Sequence, residues 1–104
     1  MSGEVENVST LAGYQEAARR TINRALEEDQ RLLDATAGLA EEAGEVLAHV
    51  RKHLFQGRPL DRDALALELG DALWCLAIAA DTLGLTLQDV ASRNVEKLRS
   101  RHPG

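Results

Sequence analysis

The chain has one cysteine, Cys75, in 104 residues. That excludes an intrachain disulfide framework and fits a reducing compartment. Cys75 sits in an apolar helical run, where a buried, inert thiol is expected rather than a nucleophile. Basic charge is not in excess either: 17 acidic against 12 basic residues give a formal net charge of −5. Nucleic acid needs a basic face and is disfavoured as a partner, although a polyanion can still bind through a metal. The longest apolar run, Ala72 to Ala80, is far too short to span a bilayer. The N-terminus carries Glu4 and Glu6 and lacks the basic-then-apolar pattern of a signal peptide. A soluble, cytoplasmic protein is therefore the expectation. No stretch alternates polar and apolar residues as a strand does. Glu-x-x-His pairs are missing as well, which argues against a carboxylate-bridged di-iron site.

What is present is helical periodicity. Residues 1–9 have none and are expected to be a disordered N-terminal segment, leaving 10–104 as one domain. Thr10 can cap a first helix carrying Leu11, Tyr14, Ala18 and Ile22 at spacings of three and four. The pattern weakens from Ala25 to Asp29, where a turn is expected. A second helix should run from Gln30 or Arg31 to His53 or Leu54, stopped by Gly57 and Pro59. Asp61 or Asp63 opens a third that lasts to about Leu83, with Gly84 as its stop. Thr86 and Asp89 resemble a capping box for a fourth, which ends near Arg101, before Pro103. The fold class is all-α with four helices.

The third helix is apolar almost all round between Ala72 and Ala80, with Trp74 and Ile78 off its main stripe. A helix apolar on every side must be covered on every side, and a chain this short has little left to do it. The expectation is a helical bundle completed by oligomerisation, with the third helix in the interface. Gly44 and Gly70 point the same way. A mid-helix glycine costs about 1 kcal/mol relative to alanine, so close approach by another helix is a reason to keep one.

Two acidic motifs organise the chain: Glu41-Glu42-Ala43-Gly44-Glu45 and Glu68-Leu69-Gly70-Asp71. Three residues apart on a helix means one face, so Glu42 pairs with Glu45 and Glu68 with Asp71. At ~100° per residue each pair borders an apolar stripe on the same side, formed by Ala43, Val46 and Val50 in one helix and Leu65, Leu69, Ala72 and Leu76 in the other. Packing through those stripes would bring four carboxylates together at the edge of the core. Four such groups cannot all remain ionised without a cation among them, and a hard divalent ion takes oxygen ligands. Glu42, Glu45, Glu68 and Asp71 are thus candidate metal ligands.

The run Leu39-Ala40-Glu41-Glu42-Ala43-Gly44-Glu45-Val46, then Glu68-Leu69-Gly70-Asp71-Ala72-Leu73-Trp74, then Asn94-Val95-Glu96-Lys97-Leu98-Arg99-Ser100-Arg101 resembles the MazG-like nucleoside triphosphate pyrophosphohydrolases. These belong to the all-α NTP pyrophosphatase superfamily. The likeness extends from about Leu11 to Pro103, with the three motifs in the family's order. It implies hydrolysis of a nucleoside triphosphate between the α and β phosphates, giving monophosphate and pyrophosphate, in a role such as nucleotide-pool cleaning. It also implies Mg²⁺, with Mn²⁺ as a substitute, held by the same four carboxylates, and assembly as a homodimer or homotetramer with composite sites. Glu41 lies about 100° from Glu42, which suits a water-orienting, catalytic role beside the ligands. Asn94, Lys97 and Arg101 share one face of the fourth helix and are the candidate phosphate-binding residues. Lys52 and His53 can add to that site, although solvation at a helix end is the stronger expectation for them. Tyr14, Gln15 and Trp74 are candidate base contacts, with core packing the stronger expectation for Tyr14 and Trp74. Two other readings stay open: a phosphoribosyl-ATP pyrophosphohydrolase, from which the second and third motifs point away, and a helical metal-binding interaction module without turnover.

Overall fold

The computed structural model describes residues 8–102, and among them there are four helices and no strand. The N-terminal segment expected to be disordered lies mostly outside the described residues. Helix α1 (Leu11–Arg19) starts where Thr10 accepts a hydrogen bond from the Gly13 amide through its side chain. It ends a turn earlier than the apolar spacing suggested. Ile22 follows the helix instead of closing it, and still packs against the core.

Helix α2 (Glu28–Gln56) starts and stops beyond the expected limits. At its start the Gln30 side chain accepts from the Glu27 amide, a cap formed by residues that the weak apolar pattern did not register. At its end Gly57 takes the left-handed conformation at φ 67°, and the Lys52 carbonyl accepts from the Arg58 amide. Helix α3 (Arg62–Thr82) is capped by Asp61, whose carboxylate accepts from the Ala64 amide. Gly84, at φ 74°, turns the chain into α4 (Leu87–Arg101), capped by Thr86.

Helix α3 is the centre of the molecule. It packs along α2 and against both α1 and α4, whereas α2 and α4 do not touch. The buried cluster is small: Ala18, Ala35, Ala77, Ile78, Ala80 and Leu87, with Tyr14, Ile22, Trp74 and Leu85 against it. Gln15, only 3% exposed, ties α1 to the α3–α4 turn. Its amide donates to the Leu85 carbonyl and accepts from the Leu87 amide, which occupies both ends of the group. That use replaces the base contact considered for Gln15. Arg19 adds an ion pair of 2.8 Å to Asp81.

Trp74 and Ile78, expected to need a partner chain as cover, are met instead by residues of their own chain. Ile78 is 3% exposed, buried among residues of its own chain. Trp74 packs on the same cluster, and its indole N–H donates to Thr21 Oγ1 at 2.7 Å. Helix α1, although short, reaches the side of α3 that the sequence left bare. Uncovered apolar residues remain along α3, with Leu67 73%, Leu69 58%, Leu73 37% and Leu76 45% exposed, together with Phe55 at 79% on α2 and Val90, Val95 and Leu98 along α4. The radius of gyration, 16.3 Å, exceeds the ~13 Å of a compact chain of this length. The space over Gly44 and Gly70 is open within the chain, and the glycine in tight contact is Gly38 on α2, against Cys75 on α3.

Candidate metal centre

The α2–α3 pair carries both acidic motifs, and its packing decides what they can do. Glu42, Glu68 and Asp71 each offer a carboxylate oxygen, and the three oxygens lie within 4.8 Å of one another. Glu42 and Glu68 are half-buried and Asp71 is exposed, so the cluster opens to solvent on the α3 side. Glu45 is outside that set of three but close enough to Glu68 for the two carboxyls to influence each other's protonation. Glu68 is also next to Glu42, and so it faces both acids of α2.

Electrostatics show the strain of this crowding. Burial, followed by the charges of Glu45 and Asp71, pushes the Glu42 carboxyl above the usual carboxylate range, with the Glu68 hydrogen bond opposing. Glu45 is also raised, first by its hydrogen bond to Glu68 and then by the charge of Glu68, while His49 pulls it the other way. Glu42 Oε2 is shielded from solvent and has no hydrogen-bond partner among the described residues. A buried oxygen without a partner is costly, and a cation bound there would satisfy it. The donor set is all oxygen and all carboxylate, which suits a hard divalent ion such as Mg²⁺ or Mn²⁺.

Neighbours missed by sequence reasoning complete the surroundings. His49, four residues after Glu45 on α2, places Nε2 3.9 Å from Glu68 Oε2. That (i, i+4) spacing was its only local signal. Tyr14 enters from α1: burial, then the charge of Asp71, then Cys75 hold its phenol above the ordinary range. The Cys75 thiol is buried and raised chiefly by that burial, and then by Glu42, consistent with an inert side chain. Glu41 is exposed, and its charge is felt at Glu42. Asn94, Lys97 and Arg101 are all exposed on α4, which touches α1 and α3 but not α2.

The two central helices of this all-α chain thus converge through a Glu-x-x-Glu and a Glu-x-x-Asp pair. The chain belongs to the MazG nucleotide pyrophosphohydrolase family, whose profile matches residues 30–104 and so takes in α2, α3 and α4. Domains of this type are generally divalent-metal dependent. Over 70 residues the chain is 41% identical to the Gene 37 protein of Mycobacterium phage L5, which covers 64% of this chain and 61% of that protein. It is 36% identical over 72 residues to the uncharacterized protein YvdC of Bacillus subtilis strain 168, covering 61% of this chain and 68% of that one. No solved structure matches the chain. No helix of the described residues is long and apolar enough to cross a membrane.

Proposed function

We propose that this protein hydrolyses nucleoside triphosphates between the α and β phosphates, releasing a nucleoside monophosphate and pyrophosphate, with Mg²⁺ as its cofactor and Mn²⁺ as a substitute. The observation that carries this reading is the convergence of Glu42, Glu68 and Asp71, with one oxygen of Glu42 buried and unpartnered. A bound divalent ion supplies Lewis acidity toward the phosphate oxygens and a more acidic water. The remaining work falls to the chain itself. Glu42, Glu45, Glu68 and Asp71 hold the ion, with Glu68 central because it meets both acids of α2. Glu41, exposed at the rim, orients a water toward the phosphorus.

Developing negative charge on the phosphates requires fixed donors, and Asn94, Lys97 and Arg101 provide them from one face of α4. Helix α4 packs on α1 and α3 but not along α2, and we assign these donors to the site of a second copy in a homodimer or homotetramer. The exposed Phe55, Leu67 and Leu69, together with the apolar row on α4, provide surface for such an assembly.

The test is a panel of canonical and damaged nucleoside triphosphates with Mg²⁺, scored for pyrophosphate. Pyrophosphate and monophosphate in equal amounts, abolished by chelator, is the expected result. Orthophosphate as sole product, or turnover indifferent to chelator, would contradict the reading. No turnover across the panel would favour a binding module.

A further inference from the structure

We infer that the triphosphate lies along α2 with its diphosphate end directed toward the helix C-terminus, where His49 and Lys52 receive it. This rests on the proposed pyrophosphohydrolase reading and adds the direction in which the substrate lies. The two sides of the carboxylate cluster differ in chemistry. Going back along α2 from Glu42 comes Gly38, closed against Cys75 of α3, and then Asp34 and Arg31, whose Nη2 donates to the Leu26 carbonyl. Going forward, they are His49 and Lys52. With Glu42 at zero, ~100° per residue puts Glu45 at about −60°, His49 at about −20° and Lys52 at about −80°. All four share one face, and Lys52 stands almost directly beyond Glu45, about 10 Å further along the axis at 1.5 Å per residue.

His49 joins the two halves of this strip, with Nε2 3.9 Å from Glu68 Oε2. Lys52 is exposed and forms no ion pair with the described residues. It borders an open groove of about 180 Å³ on α2, lined also by Ala48, Arg51 and Gln56. Within one chain, the cationic side chains nearest the carboxylates on this face lie forward, at His49 and Lys52, whereas the first one backward is Arg31, eleven residues from Glu42 and engaged by the Leu26 carbonyl. An extended ammonium side chain reaching back along the helix meets the phosphate tail.

The experiment is titration calorimetry of the Mg²⁺-loaded full chain with inorganic pyrophosphate and, separately, with a nucleoside monophosphate. Wild type is compared with Lys52→Gln, Lys52→Arg and His49→Gln, and thermal melting is followed in parallel. Lys52→Gln and His49→Gln should each weaken pyrophosphate binding about tenfold, the scale of one charge-assisted hydrogen bond, while leaving monophosphate binding within about twofold. Lys52→Arg should retain most of the affinity. Unchanged pyrophosphate binding in Lys52→Gln, with only the melting temperature lowered, assigns Lys52 to the helix dipole and overturns the inference. If wild type hydrolyses triphosphates yet its variants bind pyrophosphate normally, the direction alone is wrong. If wild type neither hydrolyses nor binds pyrophosphate, both readings fall.

Discussion

Gly38 on α2 faces Cys75 on α3 so closely that a β-carbon at position 38 would lie 2.9 Å from Cys75 Sγ. Gly38 is one turn before Glu42 and Cys75 one turn after Asp71, so this contact sets the helix separation next to the carboxylates. It is a spacing device for the centre as well as a packing detail of the core.

Gly38→Ala should therefore destabilise the protein by about 1–3 kcal/mol, the usual cost of overpacking, and weaken metal binding at the same time. Cys75→Ala removes the sulfur that the new methyl would strike. The double variant should recover much of the loss, a coupling of about 0.5–3 kcal/mol in a double-mutant cycle by denaturant unfolding. Additive effects would show that α2 and α3 separate without strain at this point.

The carboxylates should separate function from folding. Replacing Glu42, Glu68 or Asp71 by its amide is expected to lower turnover by roughly 10²-fold or more, on the scale of losing one electrostatic stabiliser. Secondary structure should be retained, and the metal-free protein should melt no lower than wild type, because repulsion in the cluster is relieved. Circular dichroism and calorimetric metal titration of each variant check this. Loss of helical structure in all three would make the cluster a folding element instead.

Metal-free stability should depend on pH with an opposite sign to that of ordinary salt-bridged acids. Glu42 and Glu45 have raised carboxyl pKa values in the fold. Raised folded values mean that the native state binds protons more readily than the unfolded chain. Their contribution is therefore fully present below the ordinary carboxylate range and is lost as pH rises through the folded values toward neutrality. Saturating Mg²⁺ should flatten this dependence, since the cation replaces the protons. Melting temperatures across that window, for wild type and for Glu42→Gln with Glu45→Gln, give the comparison. An identical pH profile in the double variant would remove these two groups as its cause.

Helix spacing made much of this architecture legible beforehand. Glu42 with Glu45 and Glu68 with Asp71 are (i, i+3) pairs bordering apolar stripes, so their faces follow from local geometry alone. Gly84 and Thr86 announced the α3–α4 turn for equally local reasons. Gly38 was not legible, because whether a mid-helix glycine meets a neighbour depends on the axial register of two packed helices. Trp74 and Ile78 were assigned to the wrong partner for a related reason. Their cover comes from α1, held in place by the Gln15 amide on the α3–α4 turn, and nothing near residue 78 in the sequence points to residue 15. His49 went unread because a single histidine one turn beyond an acid has meaning only once Glu68 is opposite it.

The placement of α4 leads to the last prediction. Asn94, Lys97 and Arg101 are exposed on a helix that packs on α1 and α3 but not along α2, which carries Glu42 and Glu45. If α4 completes the site of a second copy, Lys97→Ala and Arg101→Ala should each lower kcat/KM by about 10–100-fold, the equivalent of one charge-assisted contact. Arg101→Lys should recover only part of that loss, since it keeps the charge without the bidentate fork. Metal binding without nucleotide should change little. Mixing then distinguishes sites shared between chains from sites within one. Glu42→Gln and Arg101→Ala are each impaired alone, but a dimer containing one of each has one site with both defects and one with neither. Co-refolded in equal amounts, they should regain roughly a quarter of wild-type activity by random pairing of two copies. If Arg101 serves the carboxylates of its own chain, every site in the mixed dimer carries one defect and no activity returns. Steady-state rates before and after mixing, with light scattering to verify the dimer, decide between the two arrangements.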